Sequence, residues 1–452
     1  MSFPPEFFFG VATASYQIEG SAARAGGGLS VWDMFCRRPG KVWNGDTGEV
    51  ACDHYNRWRE DVAIMKEIGV QAYRFSVSWP RVIPQGVGCI HAEGLAFYDR
   101  LVDALLEASI EPWITLFHWD YPYELYCRGG WLNPDSPSWF AEYASVLARK
   151  LSDRVAHWIT LNEPQCFIGL GHQLGTHAPG DQLGLAEVLR AAHHALLAHG
   201  RAVQVLRSEC RKAPRVGIAP VGVTKHPASG DAPDVEAARQ AMFRIVDTSP
   251  WNNTWWLDPI IRGAYPDDGL KLFGNAVPQI RSEDLDTICQ PLDFLGVNIY
   301  NSQPIRAAAD GAFDVVPYSV NTARTTYGWP VTPEALYWGP RFFWERYHLP
   351  IVITETGMGN TDWPAEDGMV HDPQRIDFLT RYLRHLHRAS IEGVPVQGCF
   401  HWSLMDNFEW NEGYRMRFGL VYVNYDTQER ILKDSARWYR ELIQSRGEGS
   451  EV

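Results

Sequence analysis

The sequence predicts an α/β fold of one kind, a single (β/α)8 TIM barrel with its site at the C-terminal ends of the strands. Three observations predict it. Eight short apolar or β-branched runs recur along the 452 residues, separated by mostly helical segments. No GxGxxG or GxxxxGKS/T pattern follows any of them, so an open doubly wound sheet built around a nucleotide loses support. No internal repeat, low-complexity run or linker breaks the alternation, so one domain over 1–452 is expected. The length alone would suggest about three domains, but α/β barrels run past about 400 residues as one unit.

Residues 7–15 (FFFGVATAS) are the first strand. After an irregular stretch containing Gly26-Gly27-Gly28, Val62, Met65 and Ile68 recur at helical spacing and Gly69 reads as the helix stop. The second strand is 71–77 (QAYRFSV). Tyr98, Leu101, Val102 and Leu105 then mark a helical stripe that leads into the third, 112–118 (PWITLFH). A helix over 140–151 precedes the fourth strand, 158–163 (WITLNE), and a long one over 186–207 precedes the fifth, 216–220 (VGIAP). A more irregular region separates that from the sixth, 294–300 (FLGVNIY). The seventh is 351–355 (IVITE), four apolar or β-branched residues ending in a carboxylate, as expected of a strand buried on both faces. Asp372-Pro373 opens a helix with cap and first-turn residues in the expected order, and its stripe of Ile376, Leu379, Leu383 and Leu386 runs on to Gly393. The eighth strand is 398–403 (GCFHWS), and an amphipathic helix with Trp438 and Leu442 follows.

Composition excludes several classes. The net charge of −13 argues against a nucleic-acid partner, which needs a basic face. No stretch approaches the about 20 apolar residues of a membrane span, and the N-terminus has neither the basic nor the apolar region of a signal peptide. The eight cysteines are scattered, with no CxxC and no metal-ligand spacing, so a reduced, cytoplasmic protein is expected. Aromatics stand out: 19 Trp, 19 Tyr and 20 Phe, many of the Trp beside Glu, Asn or His. Flat apolar faces next to hydrogen-bonding groups suit sugars.

The chemistry collects at the strand ends. In a barrel these point into one mouth. They carry Gln17 and Glu19, Arg74, His118-Trp119-Asp120, Asn162-Glu163, Asn298, Tyr300, Glu355 and Trp402, with Asp406-Asn407 and Glu409-Trp410 just beyond. Glu163 and Glu355 each end a buried strand, with Pro164 and Thr356-Gly357 turning the chain away. Two such carboxyls are what acid/base plus nucleophilic chemistry on a glycosidic bond requires.

These residues fall in stretches that resemble glycoside hydrolase family 1, and its bacterial β-glucosidases in particular. Asn162-Glu163-Pro164 and Ile353-Thr354-Glu355-Thr356-Gly357 resemble the family's acid/base and nucleophile motifs. FGVATASYQIEG at 9–20, YRFSVSW at 73–79, His118-Trp119-Asp120, WSLMDNFEW at 402–410 and RFGLVY at 417–422 resemble its other signatures, in order, over roughly 6–443. The resemblance implies a retaining enzyme in which Glu355 is the nucleophile and Glu163 the acid/base, about 5–5.5 Å apart. It implies that Arg74 and Tyr300 keep Glu355 charged and aimed. Gln17, His118, Asn162, Trp402 and Glu409 would bind the glycone with Trp410 in the same wall, and Trp329 would be the platform for the leaving group. No metal or cofactor is required, and the partners expected are small β-glucosides.

Glu409 also narrows the substrate. The phospho-sugar branch of the family has serine there, and a carboxylate would repel a phosphate dianion. Four positions depart from the pattern: Thr356 in place of a usual asparagine, Gln165 of a tryptophan, Ile299 of an aromatic, and 121–124 (YPYE) of a Leu-Pro-Gln stretch. They bear on leaving-group preference and transglycosylation. A β-galactosidase, a β-fucosidase or a transglycosylating β-glycosidase of the same family is the nearest alternative. A sugar-binding pseudoenzyme is the alternative from another class, and retention of both glutamates argues against it.

Overall fold

The computed structural model describes residues 1–309 and 311–447, so the last five positions of the expected domain lie outside the described residues. Eight parallel strands form the barrel: β1 (Phe8–Ala12), β2 (Ala72–Ser76), β3 (Glu111–Phe117), β4 (His157–Asn162), β5 (Arg215–Ala219), β6 (Leu295–Asn298), β7 (Ile351–Thr356) and β8 (Val396–Trp402). Their order around the sheet is β5-β4-β3-β2-β1-β8-β7-β6. The remaining seam is closed by a parallel bridge between Val221 and Asn298 and by backbone bonds Asn298 N to Pro220 O (3.0 Å) and Gly222 N to Asn298 O (2.8 Å). This is a (β/α)8 barrel.

Side-chain size decides what fills it. Phe8, Trp113, Phe294 and Phe400 meet inside the lower barrel, with Trp113 at 5.1–5.3 Å from the other three ring centroids. Glycines on the strands make the room. A Cβ on Gly10 would stand 2.5 Å from Phe400, and one on Gly398 2.4 Å from Phe8. These rings fill the lower barrel, and the cavity lies at its C-terminal mouth.

Outside run helices α1 (His54–Ile68), α2 (Ala92–Glu107), α3 (Ser136–Leu151), α4 (Leu185–Glu209), α5 (Ala232–Phe243), α6 (Ala335–Tyr347), α7 (Pro373–Ile391) and α8 (Asp434–Ser445). The stripes predicted for α1 and α2 are buried, and Gly69 ends α1 in the left-handed region at φ 81°. Three expectations need correction. The region between β5 and β6 is largely helical: besides α5 it holds Thr254–Arg262, Asp267–Phe273 and Ser282–Ile288, pieces too short to display a periodic stripe. The first strand ends at Ala12, because Ser15 turns into a single helical turn whose N–H bonds Ser76 Oγ at 2.7 Å. Asp372 makes no side-chain cap on α7; its carboxylate accepts from Ser435 N (2.8 Å) and Oγ (2.6 Å) at the start of α8.

Candidate active site

A cavity of about 760 Å³ opens at the C-terminal ends of the strands. Ten of the predicted residues line it: His118 and Trp119 after β3, Glu163 after β4, Asn298 and Tyr300 at β6, Glu355 on β7, Trp402 on β8, and Trp329, Glu409 and Trp410 from the loops. Arg74, Asn162 and Gln17 do not line it. They are buried immediately behind and bond the residues that do.

Glu355 is 4% exposed and held from two sides. Arg74 Nη1 donates to its Oε1 at 2.7 Å and Tyr300 Oη to its Oε2 at 2.7 Å. Arg74 is itself fixed by Thr115 Oγ1 (3.1 Å), Thr354 O (2.8 Å) and Asn162 Oδ1 (2.5 Å). Among the described residues, Glu163 meets no cation at bonding distance. Its Oε1 accepts from Asn298 Nδ2 (2.8 Å) and its Oε2 from Cys166 Sγ (3.0 Å). The Asn298 amide interacts with Glu355 as well, so one side chain spans both acids. Thr354 Oγ1 orients that amide by donating to Asn298 Oδ1 at 2.6 Å.

The difference in neighbours separates the two acids. Burial, and then the charge of Glu355, push the Glu163 carboxyl up to about 7. Burial raises Glu355 too, prevailing over the Arg74 guanidinium and the Tyr300 phenol that oppose it. The cation at 2.7 Å favours the ionised form of Glu355, and Glu163, without such a partner, is the better placed of the two to keep a proton. Burial and Glu355 push the third acid, Glu409, up to about 8, opposed by its bond from Gln17 Nε2 at 3.3 Å. Burial, reinforced by Arg74, pushes His118 well below its usual range, so it is a neutral imidazole in reach of Asn162 Nδ2 at 3.0 Å.

The aromatic walls follow. His118 and Trp402 stack at 5.6 Å, and Trp410 packs against Trp32 (4.6 Å) and Trp119 (4.5 Å). Trp119, Glu163 and Trp410 all have left-handed backbones, at φ 79°, 44° and 54°. Such a conformation costs a non-glycine residue about 1–3 kcal/mol and gathers at functional sites. Toward the outside, Trp329 stacks on Tyr327 at 4.5 Å and stands 6.2 Å from Phe418. The opposite outer wall carries Lys225, which donates to Gln303 Oε1 at 2.6 Å, and the partly exposed Trp251.

Sequence reasoning missed Cys166, Tyr327, Phe418, Lys225 and Gln303. Cys166 had a signal: it lies three residues after Glu163, one turn along the helix Pro164–Ile168. Lys225 and Gln303 had none, since parallel pairing of Thr224–Pro227 with Ser302–Ala307 is what brings them together. The departing positions stay out of the cavity wall. Gln165 ties the loop after β4 to the loop after β5 through Val221 N and O, both at 3.2 Å. The Thr356 hydroxyl is buried with no hydrogen-bond partner among the described residues. Ile299 fills the space left by Gly222 and Gly339, where a Cβ would stand within 3.0 Å of it. Tyr121 is buried against Trp131 and Trp79, away from the mouth.

Known proteins with this arrangement are close at hand. The model of the family described as glycosyl hydrolase family 1 matches residues 1–448. Beta-glucosidase A of Thermotoga maritima is 45% identical over 447 residues, 98% of both chains. A 1,4-beta-D-glucan glucohydrolase of Thermotoga neapolitana is 45% identical over 98% of this chain and 99% of its own. A bifunctional beta-D-glucosidase/beta-D-fucosidase of Bifidobacterium breve is 42% identical over 98% of both. The solved beta-glucosidase from T. maritima in complex with glucoimidazole superposes with a TM-score of 0.90, at 44% identity and 99% coverage of each chain. From its first residues to its last described helix, then, this chain belongs to glycosyl hydrolase family 1 and is an enzyme of that family.

Proposed function

We propose that this enzyme is an exo-acting, retaining β-glucosidase that removes terminal β-D-glucosyl residues from cello-oligosaccharides and aryl glucosides. The observation that carries the reading is the inequality of its two buried carboxyls. Glu355, paired with Arg74 and Tyr300, is the nucleophile: one carboxylate oxygen attacks the anomeric carbon as the bond to the leaving oxygen breaks. Glu163, bonded only by neutral donors, gives its proton to that oxygen. It then takes a proton from water, which attacks the anomeric carbon and frees Glu355. Asn298 keeps the two acids in register, and Glu409, backed by Gln17, with Trp402 and Trp410 receives the glycone. Asn162 and Arg74 act from behind the wall. Trp329 and Tyr327 take the leaving group, where stacking is tolerant of aglycone.

Glu409 favours an unphosphorylated hexose, since a buried acid there offers a phosphate dianion no positive charge. A second reading, that β-fucosides are also turned over, is favoured by the B. breve relative whose name includes that activity. The eight unpaired cysteines support a reduced, cytoplasmic setting. No described helix is long and apolar enough to cross a membrane.

A 2-deoxy-2-fluoro β-glucoside is expected to label Glu355. With an activated aryl glucoside, Glu163→Ala is expected to form the glycosyl-enzyme and stall, and azide should restore turnover as the β-azide. Glu355→Ala should give the α-azide, because its carboxylate lies on the other face of the sugar. Label elsewhere, or the α-azide from Glu163→Ala, reverses the assignment. No turnover of any β-glycoside, with glucose still bound, ends the enzymatic reading.

A further inference from the structure

Glu163 has two hydrogen-bond donors, and one of them is a thiol. Cys166 lies on the helical turn that starts directly after Glu163, is 6% exposed, and donates from Sγ to Glu163 Oε2 at 3.0 Å. Asn298 Nδ2 holds the other oxygen at 2.8 Å. Burial, and then the neighbouring carboxylate, push the thiol well above its ordinary range, so it keeps its proton and acts only as a donor. Among the described residues, no other group around Glu163 is placed to do this. Glu355 from β7 is a like charge, and Glu409 from the loop after β8 is a third acid, itself pushed up to about 8. Arg74 from β2 spends its N–H groups on Glu355, Thr354, Thr115 and Asn162. The Tyr300 phenol donates to Glu355, and His118 is neutral.

We propose that Cys166 is a positioning residue for the acid/base, a weak donor that aims Oε2 of Glu163 and stabilises its charged form only slightly. The weakness is the point of the thiol. A general acid that must give a proton and then take one back works best near the operating pH. A hydroxyl in the same place would favour the carboxylate more strongly and a hydrocarbon not at all, whereas S–H is a weak donor. The thiol proton is never transferred; the only proton that moves belongs to Glu163.

This inference rests on Glu163 being the acid. The test is the pH profile of kcat/KM on cellobiose, whose poor leaving group needs the acid, for Cys166→Ser and Cys166→Val beside the parent. Removing the donor in Cys166→Val is expected to move the alkaline limb up by about half a pH unit, and Cys166→Ser to move it down by a similar amount. A purely structural residue would lower activity across the profile without opposite shifts. Limbs that stay put in both variants, or shift together, overturn the proposal. If Cys166→Val does not fold, Cys166→Ser decides alone by the sign of its shift. Glu163→Gln serves as the reference: a limb that survives in it defeats the acid assignment, while a limb lost there but unmoved in the Cys166 variants defeats only the role of the thiol.

Discussion

Glu163 and Glu355 carry the same functional group in the same cavity, and their neighbours make them different acids. Under the proposed roles the active form has Glu163 protonated and Glu355 ionised. Below the pKa of Glu355 the nucleophile is lost, and above that of Glu163, pushed up to about 7, the acid is lost. The profile of kcat/KM should therefore be a bell whose alkaline limb falls near neutrality. Glu163→Gln, which cannot titrate, should flatten that limb and lower kcat/KM by about 100-fold or more on poor leaving groups. An alkaline limb that persists in this variant points to Glu409, the buried carboxyl pushed up to about 8. At this scale the two acids were legible because each ends a buried strand. The Cys166–Glu163 bond was missed: the three-residue spacing was a signal, but only the helical turn of Pro164–Ile168 brings the thiol back onto Oε2.

At the scale of elements, the site depends on how closely neighbouring strand ends approach. Two residues past Glu355, Gly357 lies against β8: a Cβ there would stand 2.0 Å from the Trp402 carbonyl oxygen. That oxygen is backbone and cannot swing aside, so Gly357→Ala must part the end of β7 from the end of β8. Glu355 and Trp402 would separate with it. A misplacement of about 1 Å costs about 100-fold in rate, so kcat/KM should fall by that order. Circular dichroism should remain that of the parent, and parental kcat/KM in a folded Gly357→Ala would show that the strand ends tolerate separation. The strands themselves were readable from their apolar runs and the long helices from their stripes. The short helices between β5 and β6 were not, being too brief for a period to emerge, nor was the three-stranded sheet of Thr224–Pro227, Ser302–Ala307 and Phe313–Val315, whose strands are mixed in polarity and carry no apolar run.

At the scale of the molecule, a buried charge network locks the loops after β7 and β8 to the last helices. Lys433, fully buried, donates to Asp362 (2.5 Å) and Asp406 (2.7 Å); Arg375 holds Asp362 at 2.8 Å and Arg417 holds Asp406 at 2.7 Å. Asp406 opens the loop that carries Asn407 and Glu409, and Asn407 accepts from Gln17 Nε2 at 2.9 Å. Lys433→Met would leave two buried carboxylates with one cation fewer, a loss of about 3–5 kcal/mol when one partner of a buried pair is removed. A lowered Tm together with a raised KM is expected, because the glycone loop hangs from the same network. An unchanged Tm would mean that Arg375 and Arg417 carry the charge balance alone.

What the sequence by itself determined is the set of strands, the fold they make and the residues at their ends, because burial imprints a local period and each strand end is marked by its own turn. It also held the motifs that point to the family. Only the tertiary structure decided which of those residues face the cavity and which stand behind it. Gln17, Arg74 and Asn162 read as wall residues in one dimension, yet they bond the wall from the rear. It also decided that Lys225 meets Gln303 across a long stretch of chain. The physical reason is closure. Strand order around a barrel and the register of each parallel pair set which side chains converge, and no segment of the chain records them alone.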